Sequence, residues 1–390
     1  MSLVYRRRVK DRRSHLVRLL ICAGGTGGGV YPALSVLTHM KTESAAASPE
    51  ILWVGGEGGM EADLLKREGV RFEAISSAGV HGVGWRALPG NLWRLWRGFL
   101  ASLRILHSFR PHVLLFTGGY VAVPMAFASW LGRYGKRLLY VPDIEPGLAL
   151  KAIARFANAI ALTVEESGAF FSSKTALTIT GYPLRPGLDR WTRTEALKAF
   201  DLRSDLPVLL VTGGSRGARS INRAISAGLP QLLESMQVLH VSGQLDWAEM
   251  DQVRSRLPEN LVANYRLFSY LHEEMGAALR VADLAVMRAG ASTLGELPLF
   301  RLPAILVPYP YAWRYQKVNA AYLVERGAAE LLEDVDLSES IVPLVKALVD
   351  DPARRQKMRE ALQKLARPDA AAEIVGLLNR LAAVAGTAER

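Results

Sequence analysis

The stretch LLICAGGTGGGVYPALSVL, residues 19–37, places a glycine-rich loop between a short apolar run and a helical pattern. A second stretch, VLLVTGGSRGARSINRAIS at residues 208–226, repeats this order in the other half of the chain. A strand-length apolar run that ends in glycines and leads into a helix is typical of a nucleotide-binding α/β unit. The two stretches therefore predict a duplicated nucleotide-binding unit.

Strand-like apolar runs alternate with helical patterns all along the chain. Strands separated by helices form parallel sheets covered on both faces, so the sequence predicts an α/β protein with two doubly wound, Rossmann-like domains facing across a cleft. Ligands of such sheets bind beyond the carboxyl ends of the strands. The predicted strands are 16–22, 51–54, 72–75, 113–116, 138–141, 159–163 and 175–180, followed by 208–212, 238–242, 261–265, 284–287, 304–307 and 330–332.

The segment GYPLRPG, residues 181–187, separates the two sets of strands and is typical of a turn or an interdomain linker. Two prolines and two glycines in seven residues do not favour either a helix or a strand. We therefore divide the chain into a basic N-terminal arm at 1–15, a first domain at 16–184, a second domain at 185–370, and a C-terminal helix at 371–390 that can pack back on the first domain.

Composition narrows the class of protein. Half of the 390 residues are apolar and 22% are charged, which excludes a disordered chain, and the single cysteine, Cys22, excludes an internal disulfide. The formal charge of +11 indicates an anionic partner: nucleic acid, an acidic membrane surface or a phosphorylated small molecule. The sequence has no recognised nucleic-acid-binding motif, so we expect no nucleic-acid partner. No run of about 18 apolar residues lacks a charge, so we expect no membrane-spanning helix.

Five glycines surround Thr26 in the first loop. Such a loop brings backbone N–H groups close to an anion, and the following helix points its positive end at the same place, so we expect a phosphate or diphosphate. No Lys-Ser/Thr pair follows, as a P-loop requires, and the second strand ends in Gly55-Gly56 instead of the acidic residue of a dinucleotide site. A tight turn without a ligand is the plainer alternative for any single loop.

Three further glycine-rich loops follow predicted strands. Their sequences are TGGYVAVP at 117–124, GGSRGAR at 213–219 and MRAGASTLGE at 287–296. Ser215 and its neighbouring amides are suited to hold phosphate oxygens, while Arg216 and Arg219 either assist or face solvent. Glu296 either closes a capping box with a hydroxyl residue before it or accepts hydrogen bonds from both hydroxyls of a ribose, and the two roles are compatible.

Together with QKVNA at 316–320, these four loops resemble the motifs of the MurG family of GT-B glycosyltransferases, glycosyltransferase family 28, in the same order from about residue 18 to about residue 370. The resemblance implies an inverting enzyme that needs no metal or other cofactor. It implies transfer of N-acetylglucosamine from UDP-GlcNAc, the donor substrate, to the polyprenyl-diphosphate-linked acceptor lipid I, making lipid II for peptidoglycan. It also implies a peripheral location at the cytoplasmic face of the cell membrane.

The resemblance assigns roles to individual residues. Those implied to meet the donor and the acceptor diphosphate are Thr26, Gly27, Gly28, Gly118, Gly119 and Tyr120. Those implied to bind the donor nucleotide are Arg185, Ser215, Ala291, Ser292, Thr293 and Glu296, the last on the ribose, with the backbone near Leu271 or His272 on the uracil. Gln316 matches a glutamine that contacts the hydroxyls of the N-acetylglucosamine.

At three positions the chain departs from the family. Gly29 replaces a histidine that is a candidate catalytic residue, Asp143 replaces an asparagine that helps to hold the donor, and Tyr315 replaces the second glutamine of a sugar-binding pair. The acceptor hydroxyl must lose a proton as it attacks, and we predict Asp143 as its base, with Glu145 and His81 as alternatives. The departures leave open a different lipid-linked acceptor, or a catalytically weakened scaffold protein of the cell envelope.

The segment from Trp85 to Leu103 is rich in tryptophan and arginine. An interfacial helix that lies on anionic lipid has this pattern, because tryptophan favours the headgroup depth and arginine the lipid charge. An ordinary amphipathic helix packed on its sheet is the alternative. We predict that this segment contacts an anionic membrane surface.

Overall fold

The structure is a computed structural model, and it describes residues 17–24, 27–43, 49–59, 61–67, 69–77, 88–214, 217–310 and 315–388. The predicted basic arm at 1–15 lies outside the described residues. The described chain forms two parallel sheets flanked by helices, so the predicted fold class is confirmed.

The first sheet has seven parallel strands in the order β3-β2-β1-β4-β5-β6-β7. Its strands are β1 Arg18–Ala23, β2 Glu50–Gly56, β3 Arg71–Ile75, β4 Val113–Gly118, β5 Lys136–Val141, β6 Ala159–Leu162 and β7 Ala176–Ile179. The helices between them are α1 Gly27–Glu43, α2 Glu61–Arg67, α3 Leu88–Phe109, α4 Ala122–Leu131 and α5 Leu148–Ala154. The order reverses between β1 and β4, and this switch point opens a crevice at their carboxyl ends.

The second sheet has six parallel strands in the order β10-β9-β8-β11-β12-β13. Its strands are β8 Val208–Thr212, β9 Gln237–Val241, β10 Tyr265–Phe268, β11 Leu284–Met287, β12 Ala304–Leu306 and β13 Glu330–Leu331. The remaining helices are α6 Arg193–Ala199, α7 Arg219–Ala227, α8 Leu229–Leu233, α9 Trp247–Ser255, α10 Glu259–Val262, α11 Met275–Val281, α12 Thr293–Phe300, α13 Tyr315–Glu325, α14 Leu337–Val349, α15 Pro352–Leu365 and α16 Ala370–Ala388. The switch point lies between β8 and β11.

The predicted strand at 261–265 is wrong. Leu261 lies in the short helix α10, which begins directly after Pro258, and strand β10 starts only at Tyr265. Pro258 caps this turn, since its carbonyl oxygen accepts hydrogen bonds from the N–H groups of Leu261 and Val262 at 2.9 and 3.1 Å. The strand itself shows the alternation expected of its edge position, with Tyr265 and Leu267 buried.

The central strands are apolar on both faces because helices cover both sides of each sheet. In β1 the residues from Leu19 to Ala23 are fully buried, and Trp53 in β2 is fully buried beside them. The indole of Trp53 donates a hydrogen bond of 3.0 Å to the carbonyl oxygen of Ala23, which ties the end of β1 to the middle of β2. A large side chain with its polar atom satisfied in this way fixes the position of the loop that follows β1.

The C-terminal helix α16 packs on α1 and on β4 and β5 of the first sheet. Ile374, Val375 and Leu378 belong to the same buried cluster as Leu19 and Leu115. The chain therefore contributes to the first domain at both of its ends. None of the helices in the described part of the chain is long and apolar enough to cross a bilayer.

Candidate active site

The carboxyl ends of the two sheets face each other, and side chains from both domains meet between them. The hydroxyls of Tyr31, in the first turns of α1, and Tyr270, after β10, share a hydrogen bond of 3.3 Å. The guanidinium of Arg185, in the segment between the domains, lies 5.7 Å from the ring centroid of Tyr31. Arg326, directly after α13, pairs with Glu166 of the first domain. Contacts at α1, at the segment between the domains and after α13 therefore connect the two walls of the cleft.

The first two glycine loops touch at the ends of β1 and β4. Gly119 has a φ of +87°, and a Cβ there would lie 2.3 Å from the carbonyl oxygen of Gly24, so only glycine fits. The hydroxyl of Thr117 donates a hydrogen bond of 2.6 Å to the carbonyl oxygen of Gly29, which ties β4 to α1. The structure therefore brings together five of the predicted positions, Gly27, Gly28, Gly118, Gly119 and Tyr120. Thr26 lies outside the described residues.

A buried carboxylate that the sequence did not single out lies behind the first loop. Glu61, the first residue of α2, is fully buried, and its Oε1 accepts a hydrogen bond of 2.9 Å from the Gly56 N–H. Its Oε2 has no partner among the described residues. A Cβ on Gly24 would lie 2.5 Å from Oε1, so this carboxylate packs directly against the loop backbone. The sequence feature that could have indicated Glu61 is its position as an acidic residue shortly after the glycines that end β2.

Asp143 follows β5 and is held from the opposite domain by α13. Asn319 donates through Nδ2 to Asp143 Oδ1 at 2.8 Å and to the carbonyl oxygen of Ala289 at 3.2 Å, while its Oδ1 accepts from the Ile144 N–H at 3.2 Å. Burial raises the pKa of Asp143, and the hydrogen bond from Asn319 opposes that rise. Oδ2 accepts no hydrogen bond from the part of the chain that the structure describes. Asp143 thus has raised proton affinity and one open oxygen.

Tyr315, also on α13, lies against the first domain, and its hydroxyl oxygen would lie 3.5 Å from a Cβ on Gly147. Burial raises the pKa of its phenol, and the nearby charges of Glu145 and Asp143 raise it further, so the hydroxyl stays protonated at neutral pH. Glu145 is itself buried and lies 3.7 Å from the ammonium of Lys151, so its charge is already paired. His81, the other alternative base, lies outside the described residues.

Glu296 lies in the first turn of α12, at the carboxyl end of β11. The hydroxyl of Ser292 donates to Glu296 Oε2 at 3.1 Å. The side chain of this cap residue accepts no bond from the helix backbone, so no capping box forms there. Burial raises the pKa of Glu296, while Ser292 and the guanidinium of Arg185 oppose the rise. Glu296 and Arg185 therefore lie close together.

Tyr182 connects this pair to Asp143. It is buried, and burial raises the pKa of its phenol, with the nearby carboxylates of Glu296 and Asp143 adding to the rise and Arg185 opposing it. One buried tyrosine therefore adjoins both the predicted ribose-binding residue and the predicted base. Asn319 and Tyr182 lie within the sequence motifs, but only the structure shows their proximity to Asp143.

The remaining predicted residues lie along the second domain. Leu271 is buried, which leaves only its backbone to face a ligand, and His272 is exposed with its ring edge-on to Tyr270 at 4.7 Å. Gln316 accepts a hydrogen bond of 2.9 Å from the Tyr309 N–H through Oε1. Thr293 donates to the carbonyl oxygen of Gly290 at 2.7 Å at the start of α12, in the turn that also contains Ala291. Ser215 lies outside the described residues.

Positive charge in the cleft comes from arginines on the loops. Arg185 adjoins Glu296, and Arg288 makes a largely buried ion pair of 2.5 Å with Asp334 while its Nη2 donates to Ser220 Oγ at 2.7 Å. Within the described ranges, no three His, Cys, Asp or Glu side chains lie close enough to hold a metal ion. Loop amides and guanidinium groups are the features here that can stabilise a diphosphate.

Comparison with known proteins shows similarity along nearly the whole chain. Family models match at residues 19–162 (glycosyltransferase family 28 N-terminal domain) and at residues 208–374 (glycosyltransferase family 28 C-terminal domain). A protein of Roseiflexus sp. (strain RS-1) is 40% identical, with 94% of this chain and 95% of that protein covered. A protein of Desulforamulus reducens is 36% identical, with 94% of this chain and 99% of that protein covered.

Both relatives carry the name UDP-N-acetylglucosamine--N-acetylmuramyl-(pentapeptide) pyrophosphoryl-undecaprenol N-acetylglucosamine transferase. Among solved structures, Acinetobacter baumannii MurG superposes with a TM-score of 0.73 at 24% identity, covering 93% of this chain and 99% of that one. At that identity the superposition supports the fold, while the sequence relatives support the family.

Proposed function

The chain belongs to glycosyltransferase family 28, and from this premise we propose that it transfers N-acetylglucosamine from UDP-GlcNAc to undecaprenyl-diphosphate-MurNAc-pentapeptide, converting lipid I into lipid II for peptidoglycan. The observation that carries the proposal is the 40% identity, along 94% of the chain, to a relative named for this reaction. The cleft adds a consistent chemistry, because a half-buried Glu296 lies near the guanidinium of Arg185 at the carboxyl end of β11.

The donor nucleotide lies on the second domain in this proposal. Glu296 accepts hydrogen bonds from the ribose hydroxyls, the backbone near Leu271 and His272 faces the uracil, and Gln316 contacts the sugar. The turn from Ala291 to Thr293 and the loop of Ser215 surround the phosphates, with Arg185 beside them. The partial burial of Glu296 supports this arrangement, because a carboxylate partly removed from water gains from hydrogen-bond donors that a ligand supplies.

The acceptor lies on the first domain. Thr26, Gly27 and Gly28 approach the diphosphates, and Gly118, Gly119 and Tyr120 line the second loop. Loop amides stabilise the departing UDP, because preformed N–H groups cost no reorganisation when charge develops. Asp143 takes the proton from the acceptor hydroxyl through its open Oδ2 while Asn319 holds Oδ1. Attack from the side opposite to UDP inverts the configuration of the anomeric carbon.

A coupled assay tests the proposal: UDP release is measured with UDP-GlcNAc and a lipid I analogue, and the product is identified by mass spectrometry. Turnover that requires both substrates and yields the disaccharide is the expected result. Turnover only with another lipid-linked acceptor would replace lipid I in the proposal. Binding of UDP-GlcNAc without turnover on any such acceptor would indicate the scaffold protein instead.

We further propose that the first domain lies on an anionic membrane at the cytoplasmic face, through an aromatic surface formed by Leu92, Trp93 and Trp96 on α3 with Phe127 and Trp130 on α4. Trp93, Trp96 and Trp130 are 61%, 52% and 47% exposed. Rings of the two helices stack within 5.3–5.9 Å, linked through Phe99 between Trp96 and Phe127. A connected set of exposed aromatic residues suits the headgroup region.

The two halves of α3 fit different alternatives: the first half fits an interfacial helix, and the second half fits an ordinary amphipathic helix packed on its sheet. Ile105, Leu106 and Phe109 at its end are buried in the core, as in an ordinary packed helix. Its first half presents Leu92, Trp93 and Trp96 outward, beside the exposed Arg94 and Arg97. Residues 85–87 lie outside the described residues. The charge and aromatic content of the first half support lipid contact there.

Removing two tryptophans tests the aromatic surface. The double variant Trp93→Ala, Trp96→Ala is expected to lower partitioning onto vesicles of anionic lipid by at least about tenfold, because the apolar area available for insertion is lost. Co-sedimentation at low salt measures it, with Val335→Ala as the control for an exposed apolar residue of the second domain. Unchanged partitioning, or a wild-type chain that does not sediment, would contradict the membrane proposal.

A further inference from the structure

A chain of hydrogen bonds runs beneath the third glycine loop, from β10 to the first turn of α7. His240 on β9 is fully buried, with Nδ1 at 2.8 Å from the Tyr265 hydroxyl and Nε2 at 2.9 Å from Asn222 Oδ1. Burial lowers the pKa of His240 to about 4, so the ring is neutral at physiological pH. A neutral imidazole has one N–H, so the ring donates one of these bonds and accepts the other.

Asn222 determines the direction of donation in this chain of hydrogen bonds. Its Nδ2 hydrogens go to the carbonyl oxygen of Ser242 at 2.8 Å and to Asp246 Oδ2 at 2.9 Å. Its Oδ1 can only accept, so Nε2 of His240 carries the proton and the Tyr265 hydroxyl donates to Nδ1. The donations therefore run one way, from Tyr265 through His240 and Asn222 to Asp246.

Asp246 is a buried carboxylate with both oxygens in use. It is only 5% exposed, and while Oδ2 accepts from Asn222, Oδ1 accepts from Arg219 Nε at 2.9 Å. Because Asn222 holds the carboxylate of Asp246, that carboxylate in turn fixes the orientation of Arg219. The third loop touches the same place, since a Cβ on Gly217 would lie 2.4 Å from the carbonyl oxygen of Ser242.

Arg219 differs from Arg223, which lies one turn further along α7. Arg223 donates through Nε and Nη2 to both oxygens of Glu249, at 2.8 and 3.2 Å. Arg219 donates through Nε alone, and its two Nη groups bond to no residue in the described ranges. Its side chain is 61% exposed, so these groups are accessible to a ligand. A bidentate pair uses up the fork of an arginine, whereas a bond through Nε leaves the fork open for an oxyanion.

We propose that Arg219, oriented by Asp246, binds the diphosphate of the UDP-sugar donor. The proposal rests on the proposed function and adds to it one binding residue and, behind that residue, the positioning residue Asp246. The open fork of Arg219 lies at the start of α7, directly after the loop of Gly217, where two Nη groups match two oxygens of a phosphate. The chain from Tyr265 to Asp246 keeps the fork in place before the donor arrives, which lowers the entropy that binding costs.

Calorimetry on the full chain with UDP and with uridine tests the proposal. Arg219→Ala is expected to weaken UDP binding about tenfold and to leave uridine binding unchanged, because uridine has no phosphate. Asp246→Asn is expected to weaken UDP binding by a smaller factor, again without an effect on uridine, since the arginine remains but loses its charged support. Arg223→Ala, the matched control one turn away, is expected to change neither affinity.

Equal UDP affinity in Arg219→Ala and the wild type would overturn the proposal. An equal loss of UDP and uridine affinity would overturn it too, because that pattern means that the fold of the loop has changed. Partial recovery of UDP binding in Arg219→Lys, which keeps the charge without the fork, supports phosphate contact. A wild-type chain that binds neither ligand contradicts the proposed function itself, which separates that failure from one confined to Arg219.

Discussion

Replacing Asp143 with asparagine is expected to lower kcat for N-acetylglucosamine transfer by roughly 10²- to 10⁴-fold, the range that a general base contributes. The acceptor hydroxyl must lose its proton as it attacks, and Asp143 has one oxygen held by Asn319 and one open. Asparagine keeps the size of the side chain and an oxygen for the bond from Asn319. The KM for UDP-GlcNAc is therefore expected to change little.

The pH dependence of kcat checks the same role independently. A base acts only when deprotonated, so the rate falls as the pH decreases through the pKa of Asp143. Burial raises that pKa, so the fall is expected at a higher pH than an exposed aspartate would give. Asp143→Asn loses this acid limb, whereas Asp189→Asn, an exposed control, keeps both the rate and the limb. Wild-type kcat with an intact acid limb in a folded Asp143→Asn protein would remove Asp143 as the base.

Periodicity was sufficient for most of the fold because buried parallel strands are short apolar runs, and the glycine loops mark where each one ends. It failed at Leu261, where two apolar residues fit a strand and a helical turn equally well. The deciding feature was the cap at Pro258, whose carbonyl oxygen accepts the first hydrogen bonds of the helical turn. The apolar pattern of a four-residue segment such as α10 does not distinguish a strand from a helical turn.

The candidate site also has features that adjacent residues reveal and features that depend on contacts between distant residues. The glycine loops and Glu296 could be predicted, because their meaning lies in adjacent residues. The support of Asp143 could not, because Asn319 is 176 positions away and the contact exists only once the two domains face each other. For the same reason the sequence left Arg219 open between phosphate contact and solvent exposure, because only the structure shows its bond to Asp246.

Both domains place a buried acid directly behind a glycine loop, Glu61 in the first and Asp246 in the second. The two acids are used differently. Asp246 has both oxygens occupied and supports an arginine, whereas Glu61 has one oxygen on the Gly56 N–H and one without a partner among the described residues. Each domain therefore has an acid behind a glycine loop, and the two acids differ in the polar groups that they bind.

Replacing Glu296 with glutamine is expected to raise the KM for UDP-GlcNAc roughly 100-fold with a smaller effect on kcat. The carboxylate accepts charge-assisted bonds from two ribose hydroxyls in the proposed complex, each worth about 1.5–3 kcal/mol when the acceptor is charged. Glutamine keeps one acceptor oxygen and places an amide where the second hydroxyl must donate. Burial raises the pKa of Glu296, so the loss in the variant resembles the wild type at low pH, where the carboxyl is protonated.

Binding of 2′-deoxy-UDP separates this contact from a general weakening of the site. Wild-type protein is expected to prefer UDP over 2′-deoxy-UDP by about tenfold or more, and Glu296→Gln to lose most of that preference, because the lost acceptor and the missing hydroxyl are partners. Glu325→Gln, on an exposed position of α13, is the matched control and keeps the preference. A Glu296→Gln protein that is folded and still discriminates as the wild type does would place the ribose elsewhere, and Glu296 would then be a residue that only orders the turn through Ser292.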